Sequence, residues 1–303
     1  MLFFRNRYFI ILFLLSYSVF SQSKLNNYLK PSDTLNRSRR NTVIISESIL
    51  ASATLIGLNQ LWYADYEKSK FQTINDNNEW LQMDKFGHVF SSYQLGRIGA
   101  SALKWSGSSK KDQLLYGGTL GFVFLAAVEV MDGFSKEWGF SWGDIAANGI
   151  GTGLFIGQEL LWDEQRIAVK FSFHQTNNVN LSPDKLGNSF NEQVLKDYNG
   201  QTYWLSANIH SFLKTEKIPK WLNLAVGYGA NSMFSGSKDI DNQLLTNSSR
   251  YRQYYLSFDV NLEKIKTNSH ILKTILSILN TIKVPFPTLE FSKNRLVFHL
   301  LYY

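Results

Sequence analysis

The chain has 303 residues and contains no cysteine, which excludes disulfides, thiolate catalysis, cysteine-bound zinc and the acylated cysteine of a lipoprotein. Its net charge of +7 is scattered, and the basic clusters Arg37–Arg40 and Lys110–Lys111 do not alternate with aromatic residues as a nucleic-acid surface would. We therefore expect no nucleic-acid partner. Aromatic residues make up 15% of the chain, a share typical of strand-rich or membrane-associated proteins.

The first residues have the pattern of a signal peptide. Arg5 and Arg7 precede the apolar run Tyr8–Leu15, and small residues follow up to Ser21. The apolar run is short for a bilayer span, which favours cleavage after Ser21 over an uncleaved anchor. We predict that residues 1–21 are removed. The mature protein is then exported to the periplasm or outer membrane of a Gram-negative-type bacterium.

An apolar helical unit is predicted after a polar leader. Residues 22–41 show no periodicity and are expected to be mobile, whereas residues 42–162 carry helical patterns at about 42–66, 84–105, 112–132 and 142–162. The last two helices are apolar almost all round, so they are either buried or lipid-facing. Gly149, Gly153 and Gly157 lie four apart and predict close helix packing along that face.

Residues 163–303 change to alternation of apolar and polar residues, which predicts strands. We expect strands at 167–173, 202–209, 222–228, 254–262 and 295–303, with an amphipathic helix at 269–282 that stops before Pro285. The strands, with their aromatic last residue, resemble those of outer-membrane barrels but are fewer than the usual eight or so. The predicted fold is α+β: a four-helix unit followed by an antiparallel β-rich region, as a partial sheet or a barrel-like structure.

Polar residues at helical spacing interrupt the second helix at its start. Asp84 and His88 lie four apart, hence on one helix face, and Lys85 is beside them. Asp84 can orient the imidazole of His88 for proton transfer or metal binding. The alternative is a helix-capping aspartate and a histidine that is satisfied by a neighbouring group.

Two further segments place polar groups at the facing ends of the third and fourth helices. Glu129 and Asp132 lie at a helix C-terminus, where carboxylates oppose the macrodipole, which favours a compensating partner such as Lys85, Lys136, Arg97 or a metal ion. The alternative is an ordinary solvated helix end, which suits Asp132 better than Glu129. Ser141 is expected to cap the fourth helix, with Asp144 in its first turn and Asn148 one turn later. A buried Asn148 serves either a ligand or a hydrogen bond between helices. We expect the three segments to meet in one interior cluster.

The chain resembles the YfiM-like family of uncharacterised exported proteins in three segments, DKFGH, EVMDG and SWGDIAANGIGTG. It is more distantly similar to VanZ-like membrane proteins. The resemblance covers roughly residues 80–160 and implies no settled activity. The positions that it singles out are Asp84, Lys85, His88, Glu129, Asp144, Asn148 and Gly151. YfiM-like proteins are often lipoproteins, whereas this chain has no cysteine.

Three functions are compatible with these observations. The first is a membrane-associated envelope protein of uncharacterised role, in which the cluster holds the helices in register. The second is an acid/base or metal-dependent enzyme that acts on envelope lipid or polymer. The third is a lipid-binding or small-ligand-binding module. The sequence favours a membrane or lipid as partner and indicates no cofactor, substrate or protein partner.

The enzyme hypothesis assigns each residue of the cluster a role. The expected catalytic residues are His88, Asp84 and Lys85. The expected metal ligands are Glu129 and Asp144. The remaining cluster positions are expected to be structural: Asp132, Ser141, Asn148 and Gly151.

Overall fold

The computed structural model describes residues 23–63, 67–244 and 249–303, so the predicted signal peptide lies outside the described residues. The fold is α+β, as predicted, with helices in the first half of the chain and a six-stranded antiparallel sheet in the second. The helices of the first half are α1 (residues 23–29), α2 (Arg37–Leu58), α3 (Met83–Trp105), α4 (Lys110–Asp112), α5 (Leu120–Asp132) and α6 (Trp142–Trp162).

Two π-helical turns and a small sheet complete this half. Asn59–Tyr63 continues α2, and Gln113–Gly117 joins α4 to α5. The loop after α2 contains β1 (Thr73–Ile74), which pairs in parallel with β2 (Phe140–Ser141). This pairing brings the loop to the start of α6.

The predicted mobile leader is partly helical. Helix α2 begins at Arg37 because the side chain of Asn36 accepts a hydrogen bond from the backbone N–H of Arg39 at 3.0 Å. The guanidinium of Arg39 also stacks on Trp105, with 4.6 Å between its Cζ and the ring centroid. These contacts fix the start of α2 against the end of α3.

Glycines let α3 approach α5 and α6 closely, although not the glycines that the sequence singled out. A Cβ on Gly121 would lie 2.2 Å from the carbonyl oxygen of Ser92, and one on Gly151 would meet the backbone of α3 at the same distance. Around Gly153 and Gly157, in contrast, nothing lies within 4 Å. The prediction of close packing along that face of α6 is therefore wrong, because α3 packs on the face that carries Gly151.

The second half forms one open sheet. Its strands are β3 (Ile167–Phe173), β4 (Gln201–Asn208), β5 (Leu222–Asn231), β6 (Tyr251–Val260), β7 (Phe286–Ser292) and β8 (Arg295–Tyr302). Each strand pairs with the next along the chain, so the ladder does not close and the barrel-like alternative is not formed by the described strands. The backbone N–H of Phe171 donates to the carbonyl oxygen of Thr281, and the backbone N–H of Lys283 donates to the carbonyl oxygen of Phe171. These two hydrogen bonds attach the segment before β7 to β3.

Short helices connect these strands. They are α7 (Pro183–Leu186), α8 (Phe190–Lys196), α9 (Ile209–Leu213), α10 (Lys238–Leu244) and α11 (His270–Leu279). The predicted amphipathic helix at 269–282 corresponds to α11, which is capped by Ser269 but ends before residue 282 because residues 281–283 extend along β3.

The sheet has an apolar outer face and an inner face that is largely polar apart from a buried cluster of Trp204, Ala225, Tyr255 and Tyr302. Lys170 and Asp259 meet on the inner face with both side chains fully buried, and 2.7 Å separates Nζ from Oδ2. On the outer face, a central row of directly paired residues crosses five strands, and each is between 38% and 62% exposed. The central row consists of Leu205, Val226, Leu256, Leu289 and Phe298.

Candidate functional site

The three polar segments meet where the start of α3 lies against the end of α5 and the start of α6. Ser141 caps α6, and its hydroxyl accepts a hydrogen bond from the backbone N–H of Asp144 at 3.2 Å. The backbone N–H of Ser141 in turn donates to Glu129 Oε2 at 3.1 Å, which ties the last turn of α5 to the α6 cap. Asp84 enters from the first turn of α3. The structure thus brings the predicted residues of all three segments to one place.

Lys85 is held by three carboxylates. Its Nζ lies 2.7 Å from Asp76 Oδ2, 2.8 Å from Asp144 Oδ1 and 3.2 Å from Asp84 Oδ2. Burial disfavours its charged form, but these carboxylates outweigh burial and raise the pKa of Lys85. Asp76 is a member of the cluster that the sequence did not reveal, because it lies in an asparagine-rich loop without periodicity and arrives through the β1–β2 pairing. With three anionic neighbours, Lys85 has little capacity to hold an anionic substrate.

The imidazole of His88 lies at the centre of the cluster. Its Nδ1 is 3.0 Å from Asn148 Oδ1, and Asn148 is fully buried. Its Nε2 faces Glu129 Oε1 at 3.6 Å, Asp144 Oδ1 at 3.6 Å and Asp84 Oδ1 at 3.9 Å. Burial alone would lower the pKa of His88, but the charges of Asp84, Asp144 and Glu129 raise it.

The carboxylates of the cluster differ in their tendency to ionise. Burial, reinforced by the charge of Asp144, raises the pKa of Glu129 to about 8. Burial and the charge of Asp84 raise the pKa of Asp144 to about 7. Burial also opposes ionisation of Asp84, but His88, Lys85 and the hydroxyl of Tyr198, which donates at 2.8 Å, together lower its pKa. The cluster therefore holds more acid groups than its own cations can keep ionised.

Asp132 and Gly151 lie at the margin of the cluster. Asp132 accepts a hydrogen bond from the hydroxyl of Tyr63 at 2.6 Å, and burial raises its pKa to about 6. Gly151 bears no polar side chain and instead allows α6 to approach α3. Neither residue faces Nε2 of His88.

A cavity of about 560 Å³ borders the cluster. Asp84, His88, Glu129 and Asp144 form its polar wall. Its remaining walls are largely aromatic and aliphatic, and they include Phe90, Phe124, Leu125, Val128, Phe171, Leu195, Tyr198 and Tyr203. The last four come from the second half of the chain, where nothing in the sequence marked them as partners of the cluster. A ligand in this cavity would meet ionisable groups at one end and hydrocarbon elsewhere.

The donor atoms of Asp84, His88 and Asp144 all lie within 4.8 Å of one another, a spacing at which they could hold a metal ion. The same groups could instead transfer protons, because an imidazole flanked by carboxylates is suited to acid/base chemistry. The catalytic and metal-ligand roles assigned from the sequence thus remain predictions about groups that the structure places together.

Among the described residues, two helical segments are long and apolar enough to cross a membrane by length and composition alone. They are Arg37–Leu58 and Lys110–Asp132, with 22 and 23 residues. Only 6% of the most apolar stretch of the first is buried, against 28% for the second. The first segment therefore exposes most of its apolar side chains, whereas most of those in the second are half-buried.

Residues 73–157 match the model of one protein family, described as "Predicted periplasmic lipoprotein (DUF2279)". The matched range contains every residue of the cluster, from Asp76 to Gly151, and none of the six-stranded sheet. No curated protein and no solved structure matches the chain. The match supports an uncharacterised exported protein of the cell envelope.

Proposed function

We propose that this chain is an exported cell-envelope protein that binds a membrane by inserting the outer face of its sheet into one leaflet. The observation that carries the proposal is the polarity of the sheet, with buried polar residues inside and exposed apolar residues outside. Water-facing sheets have the opposite arrangement, and lipid-facing strands have this one.

The outer face is banded. An aromatic row of directly paired residues lies beside the central row and consists of Tyr203, Tyr228, Tyr254 and Phe291. On the other side of the central row, Leu224 is paired with Phe258. Aliphatic residues flanked by aromatic ones are typical of surfaces that cross from hydrocarbon to headgroups, where tyrosine hydroxyls reach water.

The helices cover only one end of this face. Helix α3 packs on β3, where Tyr93 and Val169 share a core, and it reaches along the aromatic row to Tyr228, whose ring stacks on Phe86 at 4.5 Å. Beyond that point Tyr254 and Phe291 are each 50% exposed. The uncovered part of the face therefore has no apolar partner among the described residues.

The dimensions favour a single leaflet. On β6 the three rows run from Tyr254 through Leu256 to Phe258, a length of about 14 Å at the usual rise per residue. A bilayer core is about 30 Å thick, so the band matches about half of it. This surface would replace the lipid anchor of the matched family, since these 303 residues contain no cysteine to acylate.

Several finer features belong to the same proposal. Removal of residues 1–21 as a signal peptide would deliver the chain to the envelope. The YfiM-like and VanZ-like resemblance of the cluster is compatible with a role at a membrane. Attachment to the periplasmic side of an outer or inner membrane is compatible with the surface described.

The cavity favours a second candidate function, the binding of a lipid or another small amphiphilic ligand. Its polar wall around His88 and its apolar walls match the two ends of such a molecule. The enzyme alternative requires the same cavity to admit a substrate. Of its assigned residues, Lys85 is the least suited, because three carboxylates already surround it.

Vesicle flotation tests the membrane proposal. The full chain is mixed with vesicles of phosphatidylethanolamine and phosphatidylglycerol, and we expect it to float with them. The double variant Val226→Asp/Leu256→Asp should lose about 3 kcal/mol of burial, which is about 100-fold in partitioning. The matched control, Asn177→Asp/Asn180→Asp, adds the same charge to an exposed turn and should float like the wild type.

Two results would count against the proposal. One is wild-type protein that stays at the bottom of the gradient. The other is a wild-type dimer in solution that the Val226→Asp/Leu256→Asp variant converts to a folded monomer, because the outer face would then serve a second copy of the chain.

A further inference from the structure

The polar groups around His88 surround a gap. Nε2 lies 3.6 to 3.9 Å from oxygen atoms of Asp84, Glu129 and Asp144, and these distances are too long for hydrogen bonds. Two donors bound to one cation at about 2.1 Å with tetrahedral geometry lie about 3.4 Å apart. Asp84, His88 and Asp144 each offer a donor atom, and these three atoms lie within 4.8 Å of one another, so small side-chain movements would bring them to one shared centre.

The donors are held in this orientation by other groups. Asn148 Oδ1 accepts from Nδ1–H of His88, which leaves the lone pair of the neutral imidazole on Nε2, towards the carboxylates. Glu129 Oε2 is occupied by the backbone N–H of Ser141, so Oε1 is the oxygen that faces Nε2. Hydrogen bonds of this kind orient metal ligands in proteins.

The excess of negative charge in the cluster also favours a bound cation. Carboxylates from five residues lie in or beside the cluster, namely Asp76, Asp84, Glu129, Asp132 and Asp144. Among the described residues, Lys85 and His88 are the cationic groups within 4 Å of Asp76, Asp84, Glu129 and Asp144. Asp144 Oδ1 is buried and has Lys85 Nζ at 2.8 Å as its ion-pair partner, so Lys85 compensates part of the negative charge and a bound cation would compensate more of it.

We propose that His88, Asp84 and Asp144 bind one divalent first-row transition cation, and that Asn148 positions the imidazole. One imidazole nitrogen among carboxylate oxygens suits Mn²⁺, Fe²⁺ or Zn²⁺, whereas Ca²⁺ and Mg²⁺ prefer all-oxygen sites. The cation takes the place of the Nε2 proton and becomes part of the polar wall of the cavity. This inference does not depend on the membrane proposal.

Calorimetric titration of the full chain with MnCl₂ and ZnCl₂, after removal of metal by a chelator, tests the site. We expect one ion per chain and a rise in melting temperature when the ion is added. Asn148→Ala should weaken binding 10- to 100-fold, as expected for a residue that orients a ligand, and Asp144→Asn, which removes a ligand, should weaken it more. Asp132→Asn, a change to a neighbouring carboxylate that does not face Nε2, should leave the affinity within about threefold of wild type.

A purely structural ion-pair cluster predicts different results. The wild-type protein would then bind neither ion and its melting temperature would not respond to them. Equal affinities of wild type and of folded Asp144→Asn, checked by circular dichroism, would also overturn the site.

Discussion

The buried pair of Lys170 and Asp259 gives the sharpest test of the polar interior of the sheet. Asp259 Oδ2 contacts Lys170 Nζ and accepts from the hydroxyl of Ser206 at 2.6 Å, while Oδ1 accepts from the backbone N–H of Val284 at 3.0 Å. The change Asp259→Asn keeps the volume but leaves the buried ammonium without its counter-charge.

The expected loss is large because neither group can reach water. Removing one member of a buried ion pair costs about 3–5 kcal/mol of unfolding free energy. For a chain of 303 residues the unfolding entropy is about 0.6 kcal/mol/K, so a loss of about 4 kcal/mol corresponds to a fall of about 6 °C in melting temperature. Burial lowers the pKa of Lys170 even though the charge of Asp259 opposes this effect. In Asp259→Asn we therefore expect Lys170 to lose its proton, which keeps the loss of unfolding free energy within this range.

Urea unfolding followed by circular dichroism at neutral pH measures this loss. Asp33→Asn, which removes an exposed carboxylate, is the control and should change stability by less than about 0.5 kcal/mol. A loss below about 1 kcal/mol for Asp259→Asn would refute the reasoning, since the side chain would then have to be hydrated in the folded protein.

Two further predictions concern helix packing and pH. Gly121→Ala places a Cβ 2.2 Å from the Ser92 carbonyl oxygen and should lower the unfolding free energy by about 2 kcal/mol or more. Gly153 has nothing within 4 Å of such a Cβ. In the same urea assay, Gly153→Ala should therefore be neutral or stabilising by up to about 1 kcal/mol. Equal effects of the two changes would contradict the packing of α3 on α5. Burial lowers the pKa of Lys283 from 10.5 to about 8, so its ammonium form destabilises the folded state below that pH. The unfolding free energy should therefore rise by up to about 3 kcal/mol from pH 8 to pH 10.5 in the wild type, and this rise should be absent in Lys283→Met. If the two proteins gave parallel curves of stability against pH, Lys283 would not be the group responsible.

Local patterns in the sequence predicted most of the elements. Helix α6 was predicted to within its observed bounds, because Ser141 and its apolar run mark it clearly. Five of the six sheet strands were found from alternation. Strand β7 was missed because Pro285 and Pro287 read as terminators, whereas Pro287 lies where the pairing between β7 and β8 shifts register.

The polarity of the sheet could not be read from alternation. A period of two separates the two faces but does not say which one is buried, and that choice depends on partners far along the chain. Here Lys170 forms an ion pair with Asp259, 89 residues later in the chain, and this pairing allows the polar face to be buried. The apolar face is consequently the exposed one.

Only some residues of the candidate site could be predicted from the sequence, for a similar reason. Helical spacing links Asp84 to His88 and Asp144 to Asn148, because residues four apart share a helix face. Asp76, Tyr198 and Tyr203 have no such spacing, and they reach the site through strand pairing and the packing of α3 on the sheet.

Depth measurement of the outer face tests the central claim most directly, and a chain without cysteine allows single labels to be introduced cleanly. Nitroxide labels at Leu256→Cys and Asn177→Cys would be compared by electron paramagnetic resonance on vesicles, using oxygen and a water-soluble nickel chelate as relaxing agents. We expect the label at residue 256 to be accessible to oxygen and shielded from nickel, with the reverse at residue 177. Equal nickel accessibility at both positions would contradict it.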